Sequence, residues 1–278
     1  MAANVDEAYA HCAALVRDGD RDRYYAALFA PAAARPHLFA LYAFSGEVAR
    51  VRDAVSSPMP GEIRLQWWRD LLRGQVRGDA SAHPVAAALG DTIERFHLPR
   101  QALADLVDAR GFDLYDDIWP TTGDLEGYLG ETSSALMRLA ALVLAGGADP
   151  GGADTTGHAG VAYGLVGLLR AFPFHAGRGQ IFLPHDILDR NGVTRDDIVL
   201  GRGGPGLLAA LGEARALARH HLQRASMAGA APAVRLACLP ASLAQSYLKR
   251  MASPGYDPFR TAVDVADWRK IATLWRAR

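Results

Sequence analysis

Apolar residues recur at helical spacing along almost every stretch of this chain, and no stretch shows the two-residue alternation of a half-buried strand. That periodicity restricts the fold to helices packed on helices. Prolines, glycines and aspartates punctuate the pattern and set the expected elements. Asn4 is placed to cap a first helix running to about Arg17, with Asp6 and Glu7 near its positive end. Asp18-Gly19-Asp20 ends it. A short segment over Tyr24–Phe29 follows, and a long helix starts near Arg35-Pro36, where proline displaces no hydrogen bond. Pro58-Met59-Pro60-Gly61 reads as a break before a helix over Ile63–Arg73. Further helices are expected over Pro84–Phe96, Pro99–Ala109, Leu125–Leu144, Ala159–Phe172, Leu207–Met227, Ala233–Met251 (kinked at Pro240) and Val265–Arg276.

Half of the 278 residues are hydrophobic, enough for a sizeable core. The loops are short and no internal repeat or linker appears, so one all-α domain over residues 1–278 is expected. Lys+Arg and Asp+Glu balance at 30 each, without the basic excess of an electrostatic nucleic-acid binder. Cys12 and Cys238 are too far apart in sequence for a metal-type spacing and fit reduced thiols. No apolar run reaches the roughly 18 residues of a membrane span; Leu136–Ala145 is interrupted by Arg138. Asn4, Asp6 and Glu7 are wrong for a secretory signal or transit peptide. These features place the chain on the cytoplasmic side, with peripheral contact to the inner membrane left open.

The stretch Tyr163–Asp186, YGLVGLLRAFPFHAGRGQIFLPHD, carries an apolar helix into a flexible Gly177-Arg178-Gly179 segment and a Phe182-Leu183-Pro184 ending. It resembles the second aspartate-rich motif of the squalene/phytoene synthase family. Arg170 and the Phe182-Leu183-Pro184 ending match, but Ala171, Phe174 and His175 stand where that motif has acids. Arg35–Asp53 resembles the first motif of the family through Leu41-Tyr42-Ala43-Phe44. There Gly46 replaces an arginine, Ala49 and Arg50 replace the two leading aspartates, and Asp53 alone falls on an aspartate. The resemblance implies a single isoprenoid-synthase-type helical bundle with a central cavity. It implies that Ser133-Ser134-Ala135 let helices line that cavity, with Tyr25 and Tyr247 near it.

Family members join prenyl diphosphates, and Mg²⁺ held by carboxylates on two facing helices neutralises the leaving diphosphate. Residues four apart share a helix face, so paired aspartates can reach one ion cluster. Mg²⁺ requires oxygen ligands, which alanine lacks and histidine supplies poorly. No catalytic or metal-ligating residue is therefore expected, and no cofactor; Mg²⁺ enters only with a prenyltransferase alternative. Pocket candidates for a prenyl diphosphate or lipid are Tyr25, Arg50, Asp53, Arg170, His175, Arg178 and Tyr247. Arg50, Arg52, Arg170 and Arg178 either converge on a phosphate or pair with Asp53, Glu47 and other acids. His175 is expected to bond a backbone carbonyl. Of Trp67 and Trp68, about 100° apart on a helix, one is expected inside. Asp113, Asp116 and Asp117 read as turn residues.

A nearer resemblance within the superfamily lies in three runs: Ile63–Trp68, Gly130–Leu136 and Leu169–His175. They are similar to the phytoene-synthase-like assembly factors of mitochondrial complex I. This implies a non-catalytic accessory factor whose partner is a respiratory-complex subunit. A lipid carrier in isoprenoid metabolism is a third reading.

Overall fold

The computed structural model describes residues 5–75 and 82–278, so the expected cap at Asn4 lies outside the described residues. Within them the chain forms α-helices joined by short turns, and no strand. The first, α1 (Val5–Gly19), ends where Asp20 turns its side chain onto the backbone N–H of Arg23 and caps α2 (Arg21–Ala27). Helix α3 (Arg35–Ala49) is almost wholly buried. It packs against α1 and α5 (Pro84–Phe96). The expected break at Pro58–Gly61 is instead the first turn of α4 (Pro58–Leu72), because a first-turn N–H lacks a helical partner and proline removes nothing there. Trp68 is buried and Trp67 lies partly outside, its ring 4.9 Å from that of Trp68.

After α6 (Arg100–Ala109), the helix expected over Leu125–Leu144 divides. Helix α7 (Thr122–Leu129) passes through a wide π turn, Gly130–Ser134, into α8 (Ala135–Leu144). The hydroxyl of Thr132 donates to the Tyr128 carbonyl at 2.7 Å within this turn. Helix α9 (Ala153–Arg170) begins six residues earlier than Ala159, after Gly152 at φ +70°. Its Gly160 and Gly164 face the π turn so closely that a Cβ on Gly160 would sit 2.3 Å from the Ser134 Cα. Small residues at these positions are what let two backbones meet.

The expected flexible segment is partly helical: α10 (Phe172–Gly177) follows α9 with Pro173 in its first turn, and within Gly177–Gly179 only Gly179, at φ +75°, needs a left-handed backbone. Two short helices follow, α11 (His185–Arg190) and α12 (Arg195–Val199). Helix α13 (Pro205–Arg224) lies along α9. At Pro240 the chain does more than kink: α14 (Pro232–Ala237) gives way to a tight 3₁₀ stretch, Leu239–Leu243, before α15 (Ala244–Met251). Helix α16 (Asp267–Ala277) packs on α2 and on that 3₁₀ stretch.

Two apolar clusters result. One joins α1, α3, α4, α5, α6 and α8; the other gathers α7, α9, α13, α15 and α16. A polar cavity lies where α2, α7, the π turn, α9, α15 and α16 meet.

Candidate functional site

The cavity has a volume of about 450 Å³ and is walled largely by charge: Asp20, Asp22, Arg23, Arg110, Arg170 and Lys270. Its centre is Asp22, which the first turn of α2 holds at 3% exposure. A carboxylate removed from water needs donors or it must take up a proton. Three supply them. Arg170, the last residue of α9, reaches one oxygen at 3.0 Å. The Tyr247 hydroxyl donates at 2.7 and 2.8 Å. The Lys270 ammonium, also buried, stands 3.1 Å away. Asp264 closes the group, 2.8 Å from Lys270 and 3.6 Å from Arg170. Arg170 also donates to the Val263 carbonyl and lies 3.8 Å over the Tyr247 ring.

Burial opposes the charged form of Lys270, but its hydrogen bond to Asp264 and the charge of Asp22 outweigh it and hold the pKa above the usual lysine value. Burial also raises the Tyr247 hydroxyl far above its ordinary range, so it stays protonated and donates. The other cations are similarly engaged. Arg23 pairs with Asp20 at 2.9 Å and stacks over Tyr163. Arg110 reaches Asp113 at 3.0 Å and the Tyr128 hydroxyl at 2.7 Å. Asp113 is thus no turn residue; burial lifts its pKa despite Arg110.

Of the pocket candidates from sequence, Arg170 and Tyr247 line this cavity and come together at Asp22. The other five are not among its walls. Tyr25 packs edge-on against Tyr24, ring centroids 5.8 Å apart. Arg50 lines a small adjoining recess that shares Gly19, Asp20, Arg23 and Arg110 with the cavity. Asp53 and Arg178 pair with each other, and Arg52 pairs with Asp116 at 3.5 Å. The arginine quartet does not converge. Among the described residues His175 is not bonded to a carbonyl as expected: its Nδ1 is buried without a hydrogen-bond partner there, and its ring centroid lies 4.6 Å from that of Phe182. Burial lowers its pKa to about 4, so it is neutral at physiological pH.

These residues do not fit Mg²⁺. Among the described residues no group of three or more His, Cys, Asp or Glu is placed to hold a metal. The sequence positions matched to acids carry Ala49, Arg50, Ala171, Phe174 and His175, and Asp53 already neutralises Arg178. No described helix is long and apolar enough to cross a membrane.

Comparison with known proteins accounts for this architecture. The squalene/phytoene synthase family model matches residues 16–275. The chain belongs to the squalene/phytoene synthase family. A solved dehydrosqualene synthase superposes with a TM-score of 0.81 over 98% of this chain and 96% of that one, at 19% identity, which gives the shared fold. Within the family, the chain is 29% identical to the NADH dehydrogenase (ubiquinone) complex I assembly factor 6 of Rattus norvegicus over 279 residues, 96% of this chain and 84% of the relative. It is 30% identical to a presqualene diphosphate synthase of Rhodopseudomonas palustris over 179 residues, 63% of this chain and 62% of the relative.

Sequence reasoning missed Asp22 and Lys270. Their signal was register: Lys270 stands four residues before the buried Leu274, and Asp22 four before the buried Ala26, each on the inward face of its helix.

Proposed function

We propose that this chain is a non-catalytic member of the squalene/phytoene synthase family that acts as an accessory factor in assembling a respiratory complex of the complex I type. The observation that carries this reading is the fate of the carboxylates. Both aspartate-rich motifs have lost their acids except Asp53, and Asp53 is paired with Arg178. Mg²⁺ binding needs several oxygen ligands around one ion, and diphosphate departure needs that ion or an equivalent cluster of free cations. Around the cavity, Arg170 and Lys270 already neutralise Asp22 and Asp264. A chain built this way works by contact, with a subunit or assembly intermediate of the complex as partner, on the cytoplasmic side of the inner membrane. Similarity to assembly factor 6 along 96% of the chain supports the same reading.

The second reading is a prenyltransferase with an altered diphosphate site. One observation favours it: Arg23, Arg110, Arg170 and Lys270 still surround a cavity of about 450 Å³. Turnover decides between them. Farnesyl or geranylgeranyl diphosphate is offered with Mg²⁺ or Mn²⁺, and NADH:quinone oxidoreductase is followed on native gels in cells lacking the gene. The accessory reading expects no condensed product and a loss of assembled complex that the wild-type chain restores. A cyclopropyl or hydrocarbon product, or normal assembly without the chain, would overturn it. Binding without turnover, abolished by Arg170→Gln in protein that circular dichroism shows to be folded, would assign the cavity to a retained prenyl diphosphate or lipid ligand.

A further inference from the structure

The cavity at Asp22 is internally neutralised, but a groove on the other side of α16 is not. It holds about 1050 Å³ between α13, α15, the turn after α15 and α16, and its charged walls are Arg219, Lys249, Arg250, Arg269 and Arg276. Among the described residues, no aspartate or glutamate lines it. None of the five cations forms an ion pair among the described residues. The two acids beside it face elsewhere: Asp267 pairs with Arg21 at 2.8 Å and Asp264 with Lys270 at 2.8 Å.

The same helix carries an apolar stripe outward. Lys270 and Leu274 point in, at 2% and 0% exposure. Trp268, Ile271 and Trp275, spaced three and four residues apart, point out, at 66%, 44% and 58% exposure. Burying these side chains outside the fold is worth more than leaving them in water, and indole rings favour a boundary that is apolar on one side and hydrated on the other. Arg269 lies 5.0 Å over the Trp268 ring and Arg278 5.7 Å over that of Trp275, so cations flank the stripe. Exposed tryptophans with arginine and lysine on an amphipathic helix are the arrangement that settles in the headgroup layer of an anionic bilayer.

We propose that the outer face of α16, together with the basic groove it borders, docks this protein on an anionic phospholipid surface. The indoles enter the headgroup layer and Lys249, Arg250 and Arg276 meet lipid phosphates. Charge complementarity selects this occupant: the groove offers five cations with no internal anion, and the surface of such a bilayer is a continuous sheet of phosphates. This surface is independent of the accessory role and does not need it.

The test is sedimentation of the full chain with vesicles of phosphatidylcholine alone or mixed with phosphatidylglycerol. The expected result is binding to the mixed vesicles only, weakened by salt because surface charge is screened within about 8–10 Å, with a blue shift of tryptophan fluorescence. Trp268→Ala with Trp275→Ala, and separately Lys249→Glu with Arg250→Glu on α15, should each reduce the bound fraction by roughly tenfold or more. The second pair tests the groove without altering α16, and circular dichroism checks that each variant is folded. Inorganic phosphate at matched ionic strength should not compete. Equal sedimentation of wild type and both variants, no binding to mixed vesicles at low salt, or competition by free phosphate would overturn the proposal. So would capture by an acidic polypeptide in place of vesicles.

Discussion

Asp22 and Asp53 each meet an arginine at a helix end, Arg170 closing α9 and Arg178 just past α10, yet they are different objects. Asp22 is sealed, with Arg170, Lys270 and Tyr247 all within 3.1 Å. Asp53 and Arg178 face solvent, their side chains 39% and 41% exposed. Water screens the second pair more than the first, where the Asp22 side chain is only 4% exposed, so the same chemistry has unequal weight. The comparison shows where this family member keeps its electrostatic order: around the cavity where five helices meet, and not at the exposed Asp53.

The largest effect is expected at Asp22. Asp22→Asn keeps the shape but leaves the buried Lys270 and the partly buried Arg170 with only Asp264 as counter-charge, and should lower unfolding free energy by about 2–4 kcal/mol. Guanidinium titration reads it; a loss under about 1 kcal/mol would break the comparison. His175 gives the next effect through pH. Its pKa is lowered by burial from 6.5 to about 4, so below pH 6.5 the unfolded chain takes up a proton that the folded chain refuses. Stability from this group is therefore full above pH 6.5 and falls as pH drops towards 4, on the order of 2 kcal/mol once solvent screening is allowed for. His175→Leu should flatten that part of the stability–pH curve.

Packing offers the same contrast of enclosed and open positions. A methyl on Gly160 meets the Ser134 backbone, whereas one on Gly157 meets nothing within 4 Å. Gly160→Ala should cost about 1–3 kcal/mol, and Gly157→Ala, in the same helix, should stabilise by about 0.4–1 kcal/mol. Thermal unfolding of the two variants in parallel checks the sign of each. The smallest effect belongs to Asp53. A double-mutant cycle of Asp53→Asn with Arg178→Gln should give a coupling below about 1 kcal/mol, weakened by salt. The same cycle on Asp22 and Arg170 should give several times as much.

Much of the fold was legible because burial imposes a period. The stripes of α3, α5 and α13 show it directly, and the proline starts of α3 and α5 mark their boundaries. The π turn was not legible, because its cause is tertiary: it fits Ser133 and Ser134 against Gly160 and Gly164, far along the chain. The proline pair opening α4 deceived for a local reason, since a break and a first turn look alike in sequence. At the site, the lost acids could be seen at Ala49, Ala171 and His175, and Arg170 and Tyr247 were found. Asp22 was hidden within Asp18–Arg23, a charged run that reads as a solvated helix end, and only the inward register of Ala26 shows otherwise.

Asp22 also has a consequence for how the protein is made. Tyr247 lies 225 residues after it, and Lys270 comes later still. During synthesis from the N-terminus, α1 and α2 leave the ribosome long before any of the groups that will cover this carboxylate exist. Until α15 and α16 emerge, Asp22 lacks Tyr247 and Lys270. Completion of the interior is thereby tied to completion of the polypeptide, and a product truncated before α15 lacks two of the three donors that close it.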